Sequence, residues 1–260
     1  MLKLNRLALV LLAGSALSSL SLANSIYYPH GFFVQLNGNY SFLSADMSAG
    51  AANSTTSSSP TIAKGKQNNH QASFGGELGY AFNQYPFAFG LEYNHYQDFN
   101  YNRSPIYTAD SVPFTNYNLR THTSAQTVLA NVQIDIHGLQ YVVPYVEVGA
   151  GETYFDPEGK ATATSSSHPG TYTVTGSTWR LAWQAGVGVK FAVTSHIMLG
   201  LHYHYVDLGT IHLRWAGTED GVKTPNKLNG TLTSNNVGLD VAYYFGAGTQ
   251  PLPSLLDDDA

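Results

Sequence analysis

Eight stretches of this chain repeat with a period of two, apolar residues alternating with small or polar ones. Successive side chains of a β-strand leave on opposite faces, so this pattern specifies strands with two unlike surfaces. In FFVQLNGNYSF, Val34, Leu36, Tyr40 and Phe42 share one face, and Gln35, Asn37, Asn39 and Ser41 share the other. SFGGELGYAF sets Phe74, Leu78, Tyr80 and Phe82 against Gly75, Glu77 and Gly79. FAFGLEYNH sets Phe87, Phe89, Leu91 and Tyr93 against Gly90, Glu92 and Asn94. TVLANVQIDI opposes Val128, Ala130, Val132, Ile134 and Ile136 to Asn131, Gln133 and Asp135. The last four stretches follow suit: Val146, Val148 and Ala150 oppose Tyr145, Glu147 and Gly149; Trp179, Leu181, Trp183, Val187, Val189 and Phe191 oppose Arg180, Gln184 and Lys190; Ile197, Leu199, Leu201, Tyr203 and Tyr205 oppose Gly200, His202 and His204; Val237, Leu239, Val241, Tyr243 and Phe245 oppose Gly238, Asp240, Ala242 and Tyr244.

The connections alternate as well. Short links fall near 83–86, 137–140 and 193–196, and long ones near 43–70, 99–121, 156–177 and 210–233. An even strand count with short turns at one end and long loops at the other is a feature of bacterial transmembrane barrels. A soluble β-sandwich or a lipocalin-like barrel alternates too, but turns its apolar face inward. Two features count against those. The polar faces hold Gly, Asn, Gln and isolated acids rather than Lys and Glu, and aromatics gather at strand ends, as at Tyr40/Phe42, Phe82/Phe87, Trp179/Trp183 and Tyr243/Phe245. Such aromatic belts suit the two membrane–water interfaces. Charged residues make up only 11% of the chain against 43% hydrophobic, a surface too poor in charge to face water everywhere.

Residues 1–23 read as an export signal: Lys3 and Arg6, then a short apolar run, then a small-x-small site with cleavage after Ala23. Removing those two cations lowers the formal net charge from −5 to −7, which argues against nucleic acid as a partner. The chain has no cysteine, hence no disulfide, lipid-anchored cysteine or thiolate metal site.

Four segments, VPYVEVGAG (143–151), LAWQAGVGVKF (181–191), LHYHYVDLG (201–209) and VGLDVAYYF (237–245), together resemble the strands of the outer-membrane β-barrel family, which includes opacity-type surface proteins and the barrel of outer-membrane protein A. The resemblance implies an eight-stranded antiparallel up-and-down transmembrane β-barrel with four long extracellular loops, three short periplasmic turns and both termini in the periplasm. It also implies that Tyr243 and Phe245 match the terminal aromatic signal read by the barrel-assembly machinery. Here that signal is internal, followed by GAGTQPLPSLLDDDA. The resulting division is a cleaved signal at 1–23, a periplasmic segment at 24–31, the barrel at 32–245 and a disordered acidic periplasmic tail at 246–260.

In such a barrel the acids point into a lumen just wide enough to be filled by side chains. The expected polar network comprises Glu77, Glu92, Asp135, Glu147, Arg180, Gln184, Lys190, His202, His204 and Asp240. If the short turn pairs residue 82 with 87, Glu77 sits directly opposite Glu92. Two carboxylates facing each other in a partly dry interior then share a proton or are bridged by a cation. A structural network and a cation-selective lumen both fit this composition, and the narrow lumen favours the first.

Chemistry elsewhere is sparse. His122 and Ser124 share a face, and parity puts Glu152 outward on the next strand, roughly level with Ser124. Ser124 stands about 31 Å above Ile136, beyond an apolar band about 25 Å tall, so a lipid-modifying triad is disfavoured. His202 and His204 share a face without an evident third metal ligand. No phosphate-binding loop, zinc-protease helix or nucleophile elbow is present, so neither cofactor nor metal is expected. The first loop is small, polar and low in complexity. The second carries Tyr101, Tyr107, Phe114 and Tyr117, either as a binding surface or as a self-packing hairpin. The fourth holds Arg214 and Trp215, suited to lipopolysaccharide phosphates or a partner.

These features lead to a non-enzymatic outer-membrane protein with a structural and surface-interaction role through its loops, for which the family resemblance implies adhesion or host-surface contact. A narrow ion or small-solute channel is the alternative, and a barrel enzyme is a more distant one. Outer-membrane lipid and lipopolysaccharide, the assembly machinery and a host or surface ligand at the loops are the expected partners.

Overall fold

The computed structural model describes residues 29–50, 65–83, 85–103, 107–109, 112–114, 117–136, 142–163, 170–175, 178–216, 218–219, 222–223 and 226–246. The expected signal segment at 1–23, and all of the expected tail except Gly246, lie outside the described residues. Eight long strands run antiparallel in chain order: β1 (His30–Gly50), β2 (Gly65–Ala81), β3 (Phe87–Arg103), β4 (Tyr117–Asp135), β5 (Val142–Ala163), β6 (Thr178–Ala192), β7 (Ile197–Ala216) and β8 (Asn226–Gly246). β1 pairs with β8 from His30↔Gly246 to Gly50↔Lys227, which closes the sheet into a barrel. Closure satisfies every wall strand within the membrane and leaves no edge in lipid.

The alternation sorts side chains as a barrel in lipid requires. Phe32, Leu36, Tyr40 and Phe42 of β1 are exposed, as are Leu78, Leu91, Val148, Leu201 and Leu239 on other strands. The alternate residues Gln35, Asn37, Asn39 and Ser41 are buried. From Phe32 to Phe42 is about 26 Å at the usual rise and a ~40° tilt, which matches one hydrocarbon thickness. Edge-to-face ring pairs mark both ends of this band, Phe32–Tyr80 and Tyr80–Phe82 below, Tyr40–Phe42 above. The inner end is finished by tight turns, with the Phe82 N–H donating to the Phe87 carbonyl and the Val193 N–H to the Ile197 carbonyl.

At the outer end the structure departs from the expected loops. Much of 43–70, 99–121, 156–177 and 210–233 is paired strand: β1 and β2 stay in register to Met47↔Gly65, and β4 and β5 to Tyr117↔Ala163. A polar, low-complexity stretch needs no apolar payload to order itself when a neighbouring strand satisfies its backbone. Two ladders stop early, however. β2 and β3 pair only from Ala81↔Ala88 to Ser73↔Tyr96, and β6 and β7 only from Met198↔Ala192 to Asp207↔Trp183. Bulges at Tyr96/Phe99 and Asp207/Gly209 accompany both breaks. Gly209 takes a positive φ of 94° and its N–H is held by Asp207 Oδ1 at 2.9 Å. Above the membrane the upper sheets β7–β8–β1–β2 and β3–β4–β5, the latter extended by Gly170–Thr175, remain parts of one continuous wall with a local gap in the ladder on either side. That segment keeps the β5 register of β6 and rejoins β7 at Thr175↔Arg214.

The interior consequently has three layers. Next to the periplasmic turns, Phe33, Ala81, Ala88, Val143, Met198, Ala242 and Tyr244 form an apolar cluster. The polar layer follows. Between the upper sheets the inward residues are apolar again: Leu43, Ala45, Phe99, Ala125, Phe155, Val206, Leu208, Ile211 and Leu232, all buried. A uniformly polar lumen was expected. The outer apolar layer arises because two sheets facing each other bury inner faces as a sandwich does.

Candidate functional site

The polar layer is the one place where ionisable groups converge. β2 and β3 are held in a register that sets Glu77 directly opposite Glu92, as a turn joining 82 to 87 requires. Gly90 leaves the space that Glu77 fills, since a Cβ there would fall 1.6 Å from Glu77 Oε1. Glu92 is the hub. Its carboxylate accepts from Asn37 Nδ2 (3.2 Å), Asn94 Nδ2 (2.7 Å), Asn131 Nδ2 (2.8 Å) and Gln184 Nε2 (2.6 Å). Four neutral amides from β1, β3, β4 and β6 thus fill the acceptor sites of one carboxylate, replacing water.

Two branches leave the hub. In one, Asn39 Nδ2 donates to Asn37 Oδ1 (3.2 Å), while Asn39 Oδ1 meets His202 Nε2 (2.6 Å) and His202 Nδ1 meets Asp240 Oδ2 (2.9 Å). In the other, Gln184 Nε2 reaches Glu147 Oε1 at 3.0 Å, and His204 Nε2 stands 3.7 Å from the same oxygen. The two imidazoles stack with centroids 4.5 Å apart. Below them Lys190 is buried, 3.7 Å from Asp135, donating to the Tyr244 hydroxyl at 3.4 Å and lying 5.0 Å over the Tyr145 ring. Gln133 donates to Asp135. Arg180 is half-buried higher on β6, opposite Thr153, with its Nε lacking a hydrogen-bond partner.

All ten named lumen residues lie at inward positions of the wall, but Glu77, Asp135, Arg180 and Lys190 are not joined to the hub by any of these bonds. The amides that organise the hub, Asn37, Asn39, Asn94 and Asn131, were not singled out from the sequence. Their signal was available: each sits at an inward position of its strand, and Asn94 follows Glu92 on the same face. Among the described residues no group of three or more His, Cys, Asp or Glu is arranged to hold a metal ion.

On the outer wall the triad geometry is not assembled. His122 is exposed and Ser124 half-buried, but Ser124 pairs with Asp156, and Glu152 pairs with Val128, four residues lower on β4. The expected level was wrong because parity gives the face of a side chain while only the register gives its height. In the second loop, Tyr107 pairs with Phe114 in a separate two-stranded ribbon. Trp215 and Arg214 lie on the paired part of β7, opposite Asn226 and Lys227.

The family model described as the outer membrane protein beta-barrel domain matches residues 8–245. The chain belongs to this family. As a family member it is an outer-membrane protein and sits in an environment of lipid and lipopolysaccharide. Outer membrane protein PagN of Salmonella typhimurium is 26% identical over 131 residues, 49% of this chain and 53% of that protein. The chain thus spans about half the length of the curated relative it matches. Among solved structures, Neisserial surface protein A is 16% identical with a TM-score of 0.42, covering 84% of this chain and 99% of that one. The outer membrane protein OprG from Pseudomonas aeruginosa is 14% identical with a TM-score of 0.48, covering 85% and 100%.

Proposed function

We propose that this barrel is a non-enzymatic surface-interaction protein, adhesion-like, whose ligand is met by the structure that projects from the cell. The observation that carries the reading is the filled interior. The polar layer is enclosed between an apolar cluster at the periplasmic end and an apolar layer between the upper sheets. β1 alone spans about 50 Å along the barrel axis, about twice the hydrocarbon thickness, so half of the folded wall stands outside the membrane. A protein that builds so much ordered wall beyond the bilayer presents a surface rather than a passage.

On this reading the Glu92 network holds eight strands together, Tyr243 and Phe245 serve as the assembly signal, and residues 1–23 are removed on export. The polar middle layer supports the narrow-channel alternative, and the two apolar layers oppose it. Deletion of each outer connection in turn, followed by scoring adherence of expressing cells to host-cell monolayers, tests the proposal. Loss of adherence with at least one deletion is expected. Adherence unchanged in all four deletions, each with normal surface expression, overturns it.

A further inference from the structure

The break between β2 and β3 leaves strand edges that nothing in the ladder satisfies. Gly65–Ala72 of β2 pairs with β1, and Phe99–Arg103 of β3 pairs with β4, but among the described residues no ladder pair joins the two across the seam above Ser73↔Tyr96. The Asn100 carbonyl faces this seam, because it accepts from two side-chain amides of β2, Gln67 Nε2 at 3.0 Å and Asn69 Nδ2 at 2.7 Å. In an antiparallel strand a residue's N–H and C=O point the same way, so the Asn100 N–H faces the seam without a ladder partner. Gln71, next in the same row of β2, has both its amide nitrogen and its amide oxygen buried with no hydrogen-bond partner. A row of primary amides at every second residue thus stands in for the missing backbone strand, and its last member is unanswered.

We propose that this seam binds an extended polypeptide by strand addition. The chemistry selects that class. Only an extended backbone offers alternating donors and acceptors at ladder spacing, along two edges at once. A lipid chain is a poor match, since the outward residues beside the seam are Asn68, His70, Gln97 and Asn100, all exposed and polar. The seam begins level with Phe42, at the outer aromatic row, where His70 pairs with Phe42, and it rises about 18 Å into the medium. The inference rests on the surface-interaction reading and names its partner class and docking place.

The test uses the full chain in lipid nanodiscs and a fluorescein-labelled nonapeptide of alternating threonine and valine. A control peptide of the same sequence carries N-methyl groups on alternate backbone amides. Saturable binding is expected by anisotropy, weakened about tenfold or more by N-methylation, since two or three backbone hydrogen bonds are lost. Gln71→Met, which removes an unanswered amide and keeps the side-chain volume, is expected to leave folding intact and weaken the peptide several-fold. Equal binding of both peptides, or no saturable binding to about 1 mM, overturns the proposal. So does slow exchange of the seam-facing Asn100 and Asn102 amides in the free protein, which would mean that another part of the chain or a second copy already fills the seam. Peptide binding lost while loop deletions still abolish adherence would sink this inference and leave the general function standing.

Discussion

Replacing Glu92 with glutamine tests whether the network holds the barrel together. The carboxylate accepts four amide N–H groups at 2.6–3.2 Å. Glutamine keeps one acceptor oxygen and turns an NH2 group toward two of those donors. Two bonds to a charged acceptor are lost, at about 1.5–3 kcal/mol each, and two more weaken to neutral bonds, about 2 kcal/mol together. The loss is about 5–8 kcal/mol. Glu77→Gln is the matched control, because it neutralises the carboxyl facing Glu92 across the β2–β3 ladder and leaves those four bonds in place. Reversible urea unfolding in phosphatidylcholine vesicles, followed by tryptophan fluorescence and gel mobility with and without heating, reads both variants. A Glu77→Gln variant as destabilised as Glu92→Gln, or a Glu92→Gln variant within about 0.5 kcal/mol of the parent, refutes the hub.

Four further outcomes follow from other parts of the wall. Leu36→Arg, at the middle of the lipid-facing band, is expected to cost about 2–4 kcal/mol in the same assay, while Asp46→Arg above the band costs little; equal effects would contradict the placement of the membrane. Gly209→Ala is expected to cost about 2 kcal/mol or more, because φ is 94° and a Cβ would lie 2.6 Å from the Leu181 carbonyl; an unchanged midpoint would show that the β7 bulge relaxes freely. Planar bilayers containing the folded protein are expected to show no steady single-channel conductance, and Phe33→Ala, which hollows the periplasmic cluster, to lose about 3–5 kcal/mol of stability; a regular conductance in the parent protein would return the channel reading to first place.

Which side of each strand meets lipid was legible residue by residue. Leu239 and Val241 on one side and Asp240 on the other need no tertiary information, because a strand's two-residue period is a local property of the backbone. The opposition of Glu77 and Glu92 was legible too, since a short turn fixes register. The network's bonds were not. Asn37 and Gln184 lie 55 and 92 residues from Glu92, and only closure and strand stagger decide that both reach it.

The outer half escaped the sequence for a related reason. Leu43, Phe99 and Ile211 fall in stretches whose composition reads as loop, and bulges at Tyr96/Phe99 and Asp207/Gly209 shift the alternation that would have revealed Phe99 and Ile211. Local pattern determined the strands and their faces. Long-range pairing alone decided where ladders stop, how high each residue stands, and where the wall is interrupted, because hydrogen bonds between strands depend on which segments meet and not on either sequence alone.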